Sequence, residues 1–226
     1  MIERPLAGKK IAVIVENKFI PEEIAAYQSV FPVLGAEVEL LSRIWWGDHQ
    51  PQSAAFYSDV DPNDSQPWES PHLLTVTRDV SQTKPGDYSA VIMSANYTSV
   101  RLRWENIPKP FGDPRAYVQS APLVRFFAEA MRDKCIVKGA LCHGLWILTP
   151  SPELLHGRRV ICHAVVMADI LNCGAEIVMD RDPAVVTDDD LVTGFSKHEV
   201  LPFIAAIADS IVQRSKTEGC KEAATR

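Results

Sequence analysis

The chain has 226 residues, 46% of them hydrophobic and 23% charged, a composition that suits one compact α/β unit and argues against disorder. A formal net charge of −6 and a pI of about 5.5 attract neither a phosphate backbone nor an anionic membrane, so no nucleic-acid or membrane partner is expected. Residues 1–10 lack the zones of a secretory signal, and no stretch approaches the ~20 apolar residues of a membrane helix. The five scattered cysteines, with no C-x-x-C pair, suit reduced thiols in a cytoplasmic protein better than a disulfide framework or a zinc site.

The predicted elements alternate from the start. Lys10 to Val15 (KIAVIV) is a continuous apolar, β-branched run, as in a strand buried on both faces of a parallel sheet. Beyond Pro21, the residues Ile24, Tyr27, Val30, Phe31 and Leu34 recur at helical spacing, and Gly35 supplies a stop. Val38 to Leu41 is the next strand, which completes a β-α-β opening. From Trp45 to His72 the periodicity disappears, and Pro, Ser, Asp and Asn alternate with Trp45, Trp46, Phe56, Tyr57 and Trp68. An insertion loop over 45–75 is read either as a lid or binding loop, or as an aromatic-anchored surface loop or subunit contact.

Leu73 to Asp79 and Ala90 to Met93 can form strands, and Pro122 to Lys134 a helix with Leu123, Phe126, Phe127, Ala130 and Met131 on one face. Ile136 to Leu141 returns to the sheet and ends at Cys142-His143-Gly144, with a helix following through Leu148. Arg159 to Cys162 and Ala175 to Met179 are expected strands, Met167 to Leu171 a helix closing at Gly174, and Leu201 to Arg214 the last helix. This order predicts a single α/β domain over 1–214, with a mainly parallel central sheet and helices on both faces, followed by a polar tail over 215–226.

One turn stands out chemically. In I-V-K-G-A-L-C-H-G-L-W-I-L (136–148), a small residue, Ala140, precedes Cys142 by two positions and Gly144 follows it by two. A strand turning sharply into a helix crowds those two positions and lifts the central side chain above the sheet edge, which is nucleophile-elbow logic. Backbone N–H groups at the start of the following helix would favour thiolate over thiol and could stabilise an oxyanion. The spacing alone leaves open a buried structural cysteine.

The stretch A-L-C-H-G-L-W-I-L, followed by G-R-R-V-I-C-H and D-I-L-N-C-G-A-E, resembles the ThiJ/PfpI family, also called the DJ-one family, of the class I glutamine amidotransferase-like superfamily. The match is best from Ile136 to Glu176 and extends more loosely to the first strand. The resemblance implies a flavodoxin-like sandwich and a homodimer or larger homo-oligomer. It also implies a glutamate after the first strand, taken here as Glu16, whose protonated carboxyl would face the cysteine and titrate with it as a pair. His143 is then the proton shuttle and His163 a second acid or a lining residue. Where relatives carry a glycine pair that completes the oxyanion hole, this chain has Ser94-Ala95-Asn96-Tyr97, so Ala95, Asn96 and Tyr97 become candidate oxyanion or substrate contacts, beside Trp45 and Trp46 of the loop.

No cofactor and no metal are expected, because Cys162 and His163 are adjacent on a strand and point to opposite faces. His198-Glu199 is read as helix capping or surface charge. The function implied is attack on a small electrophilic substrate by the Cys142 thiolate, with Glu16 and His143 moving protons, as in hydratases, glyoxalase-type hydro-lyases and amidases. The alternatives are a redox-sensing or chaperone-like stress protein that uses Cys142 oxidation without turnover, and a binding scaffold that has lost its chemistry.

Overall fold

A computed structural model describes residues 4–60, 71–106, 110 and 112–217. Strand β1 (Lys10–Ile14) places Ile11, Ala12, Val13 and Ile14 out of solvent entirely, as a strand with neighbours on both edges and cover on both faces requires. It feeds helix α1 (Pro21–Val33), whose first residue is a proline with its φ already set for a helix start and whose first turn holds Glu22 and Glu23. Strand β2 (Glu37–Ser42) then pairs with β1 in parallel.

The insertion supplies β3 (Ala54–Tyr57) and β4 (Leu73–Val76), an antiparallel pair separate from the main sheet. The predicted strand over Leu73 to Asp79 is therefore split, because its end, β5 (Arg78–Asp79), leaves β3 to pair with β2. Strand β6 (Ala90–Met93) follows, and then helices α2 (Thr98–Leu102), α3 (Pro114–Val118) and α4 (Pro122–Arg132). Beyond β7 (Val137–Leu141) the chain makes a short 3-10 turn over Gly144–Leu148 where an α-helix was predicted. The remaining elements are β8 (Arg159–Val160), α5 (Ala164–Asn172), β9 (Glu176–Ile177), β10 (Val185–Asp188), β11 (Leu191–Gly194) and α6 (Val200–Arg214).

Seven strands form the central sheet in the order β10-β11-β7-β6-β1-β2-β5, with only the β10–β11 pair antiparallel. The expected α/β architecture holds. The strands expected over Arg159 to Cys162 and Ala175 to Met179 shrink to β8 and β9, which pair with each other outside the main sheet. The strand beside β7 is β11, which the sequence reading did not anticipate. Residues of α1 and α6 share one hydrophobic core, and residues of α4, α5 and the 3-10 turn share the other.

Lys138 and Asp190 form an ion pair whose side chains are each 1% exposed, and Arg158 Nη2 also donates to Asp190 Oδ1 at 2.8 Å. Cys142, Cys162 and Cys173 are free thiols, whereas Cys135 is disulfide-bonded, against the expectation of reduced cysteines throughout. Among the described residues no helix is long and apolar enough to cross a membrane. Trp68 of the proposed lid, Cys220 and most of the predicted tail lie outside the described residues.

Candidate active site

Strand β7 is buried along its whole length and delivers the chain to Cys142 at φ 58°. An L-residue enters that left-handed region at a cost of roughly 1–2 kcal/mol, so the surroundings must hold it there. They hold both of its peptide groups: the Cys142 N–H donates to the Gly194 carbonyl at 2.8 Å, and the Cys142 carbonyl accepts from the His163 N–H at 3.2 Å. A Cβ added at Gly144 would sit 3.0 Å from the Met93 carbonyl oxygen and 3.2 Å from Ala140 Cβ. The small residues on either side of the cysteine are thus there because the turn folds back against β6 and β7.

The Cys142 sulfur faces the backbone amides of Asn96 and His143, and Asn96 is itself in the left-handed region at φ 63°. Those amides favour a thiolate, but burial outweighs them. With the residue only 9% exposed, burial pushes the thiol up to about 12, and the Glu23 charge adds to the rise. Desolvation thus works against the expected ionisation of this sulfur near neutrality, and the five-residue 3-10 turn after it offers less dipole than the predicted α-helix.

Next to it, burial and then the neighbouring His163 hold His143 down at about 4, so its ring is neutral. His143 Nε2 lies 3.2 Å from His163 Nδ1, and the His143 carbonyl accepts from Ser99 Oγ at 2.9 Å. The His143 ring is boxed by Tyr97 and Trp146, each 5.2 Å away between centroids, and by His163 at 4.9 Å. Trp146 is fixed in turn by its indole N–H, which donates to Asp169 Oδ2 at 2.7 Å.

The carboxyl group that acts on Cys142 is Glu23, not Glu16. Glu16 is buried but turned elsewhere: its Oε1 accepts from the Asn17 N–H at 2.9 Å and lies 3.6 Å from Arg101 Nε. Burial raises its pKa, against the pull of the Asn17 amide and of Arg101 and Arg43. Glu23 is fully buried on α1, accepts from Tyr27 Oη at 2.8 Å, and receives the Ala95 N–H at 3.1 and 3.0 Å on its two oxygens. Burial pushes this carboxyl up to about 8. The physical reason for the correction is reach. The end of β1 points Glu16 towards α2, whereas the first turn of α1 carries Glu23 back over the sheet edge to the segment that holds Ala95 and Asn96.

The remaining candidates divide. The Ala95 amide is taken by Glu23, which leaves Asn96 as the amide presented to the sulfur from that segment, while the Asn96 side chain donates to Asp59 Oδ2 at 2.9 Å. Tyr97, 42% exposed, stands at the mouth over His143. His163 caps α5 by accepting the Val165 N–H on Nδ1 at 3.3 Å, and its ring lies 5.5 Å from that of Phe195. Trp45 donates its indole N–H to the Pro51 carbonyl at 3.2 Å, and Trp46 lies under the Arg43 guanidinium at 3.5 Å and beside Trp104 at 6.3 Å. These contacts place Trp46 with Arg43 and Trp104, and tie Trp45 to the Pro51 carbonyl. Glu199 Oε2 accepts from the Ser196 N–H and Oγ at the start of the last helical segment, so it serves as a cap.

Cys142, His143 and His163 each offer a donor atom, and the three atoms lie within 4.8 Å of one another. The sequence argument against a metal concerned Cys162, which is not one of them. Glu23 and Trp146 were missed. Glu23 had a signal, since it stands four residues before Tyr27 and eight before Phe31 on the apolar stripe of α1, where an acid is unusual without a task. Trp146 was legible only as part of the apolar run after the elbow.

Three comparisons with known proteins bear on the chain and its fold. The model of the DJ-1/PfpI family matches residues 111–210. An uncharacterized protein of Staphylococcus haemolyticus is 24% identical over 185 residues, which span 82% of this chain and 87% of that one. The fold is similar to that of a two-domain protein with DJ-1/ThiJ/PfpI-like and ferritin-like domains from Anabaena variabilis, at TM-score 0.68 and 19% identity. That match covers 89% of this chain and 47% of the other, so the chain spans about half its length. A ThiJ/PfpI domain protein from Brachyspira murdochii matches at TM-score 0.66 and 14% identity, over 93% of this chain and 99% of that one.

Proposed function

We propose that the chain is a member of the DJ-1/PfpI family, whose model matches residues 111–210, and within it a cysteine-dependent enzyme that hydrates or hydrolyses a small neutral electrophile. The observation that carries this reading is the elbow itself: a cysteine held at φ 58° beneath two backbone amides, with two imidazoles at hand. Strain of this kind persists where the surroundings enforce it, and it clusters at reactive sites.

The protonation states dictate how the reaction proceeds. Moving a proton from a thiol at about 12 to an imidazole at about 4 before attack is uphill by on the order of 10 kcal/mol. The proton therefore leaves sulfur as the C–S bond forms, with His143 as acceptor and, as final recipient, the heteroatom of a carbonyl, imide or amide or the attacked carbon itself of an isonitrile. The amides of Asn96 and His143 steady the charge that develops at this end of the sheet. In a hydration, water then adds at the same carbon and the C–S bond breaks, returning the proton to sulfur. In a hydrolysis, the protonated amine leaves first and water cleaves the thioester. Glu23, with its pKa near 8, is mainly protonated at neutral pH and adds little negative charge. A neutral site walled by Tyr97, Trp146 and Phe195 suits a neutral, planar or apolar substrate.

A panel of isonitriles, α-oxoaldehydes, cyclic imides and primary amides, offered to the wild type and to Cys142→Ala, tests the proposal. Turnover of at least one class should fall roughly 10³-fold or more in the variant. Undiminished turnover in Cys142→Ala would remove the proposal. The redox-sensing alternative fares worse physically, because peroxide reactivity follows thiolate character and exposure and this buried sulfur has little of either.

A further inference from the structure

We propose that Cys142, His143 and His163 form a three-ligand site for a soft divalent cation, Zn²⁺ in the first place, with the fourth coordination position open towards Tyr97. The donor atoms lie within 4.8 Å of one another, and the one nitrogen pair with a defined separation, His143 Nε2 to His163 Nδ1, is 3.2 Å apart. A tetrahedral zinc with Zn–N bonds of about 2.0–2.1 Å sets its nitrogen ligands about 3.3 Å apart, so these two rings need almost no movement to share an ion. One thiolate and two imidazoles are the donor set of a borderline-soft metal rather than of magnesium or calcium.

A second observation concerns the far side of the His143 ring. His143 is 5% exposed, and its Nδ1 is buried without a hydrogen-bond partner among the described residues. A metal on Nε2 fixes the tautomer that puts the N–H on Nδ1. At His163 the metal would displace only the 3.3 Å cap bond from the Val165 N–H, at the long end of hydrogen bonding. Sulfur binds as thiolate, so each ion taken up releases the thiol proton to solvent. The site assignment stands on ligand geometry alone. Its consequence, that bound zinc reversibly blocks the cysteine as a nucleophile, rests on the reading in the preceding section.

Cobalt(II) titration of the full chain, stripped with a chelator, tests the site. The expected result is one equivalent bound, with a thiolate-to-cobalt charge-transfer band and intense tetrahedral d–d bands, all displaced by Zn²⁺. The charge-transfer band should vanish in Cys142→Ser, persist in Cys162→Ser, and require roughly 100-fold more metal in His163→Gln. X-ray absorption on the wild-type zinc protein needs no variant and should show one sulfur and two imidazoles. A band that survives Cys142→Ser, or a shell without sulfur, overturns the proposal. Stoichiometric metal binding in a protein that turns over no electrophile upholds the site and removes the nucleophile reading. Turnover that is unchanged with one zinc bound overturns the blocking role.

Discussion

Substituting Glu23 by glutamine isolates one buried proton. Glu23 is fully buried, holds Tyr27 Oη and the Ala95 N–H, and has its carboxyl pushed up to about 8 by burial, from an ordinary 4.5. The folded chain thus binds this proton more tightly than the unfolded chain. The stability that follows is fully present below about pH 4.5 and is lost as the pH rises towards 8. Each pH unit in that window is worth at most about 1.4 kcal/mol, so the loss between about pH 5 and pH 8 is on the order of 3–4 kcal/mol. Tyr27, pushed well above its usual value by the same burial, stays protonated throughout. Glutamine fills the same space and does not titrate. Urea unfolding of both proteins at the two pH values should therefore show the stability difference shifting by about 3 kcal/mol in favour of Glu23→Gln at the higher pH. A difference that stays constant across the window would refute the buried-proton argument, whatever its absolute size.

The backbone at position 142 makes a separate claim: Cys142→Gly, free of the Cβ penalty at φ 58°, should unfold about 1 kcal/mol harder than Cys142→Ala, both being inactive. Equal stabilities would show that the elbow is relaxed. The raised thiol predicts that iodoacetamide alkylation of Cys142, followed by mass spectrometry in a chelator, keeps accelerating beyond about pH 9. A rate plateau near neutrality would contradict it. Replacing Asp190 by asparagine leaves the buried Lys138 ammonium without its carboxylate and should cost roughly 3–5 kcal/mol in chemical unfolding, far more than a surface pair.

The parallel core of the fold was legible because its signal is local. The apolar runs that became β1 and β6 are continuous, and the small residues around Cys142 state their own reason once Gly144 is seen against Met93. Hairpin β10–β11 was not legible, because its strands are four residues each and its turn, Asp189-Asp190, reads as a loop until Asp190 is seen buried against Lys138. Around Cys142, the sequence named the sulfur and the two imidazoles that the structure brings together, but left desolvation out of its view of charge. Whether amide dipoles or desolvation decides a thiol's proton depends on how much water the finished fold leaves around it, and no spacing encodes that. Glu16 was named and Glu23 passed over for a related reason: two acids seven positions apart both follow β1, and only the direction of α1 decides which of them turns towards the sulfur.

Lys138 and Cys142 mark the two ends of one strand. At the first, the Lys138 N–H donates to the Asp190 carbonyl at 2.7 Å and the side chains pair; at the other, the Cys142 N–H donates to the Gly194 carbonyl at 2.8 Å. Between them β7 and β11 run in step, Lys138 opposite Leu191 and Leu141 opposite Gly194. Sliding the strands by one position would invert every side chain, and sliding them by two would strip the ammonium of its partner. The charge pair therefore works as a ruler: from about 13 Å away, four residues down the strand, it fixes how far the sulfur rises over the rim.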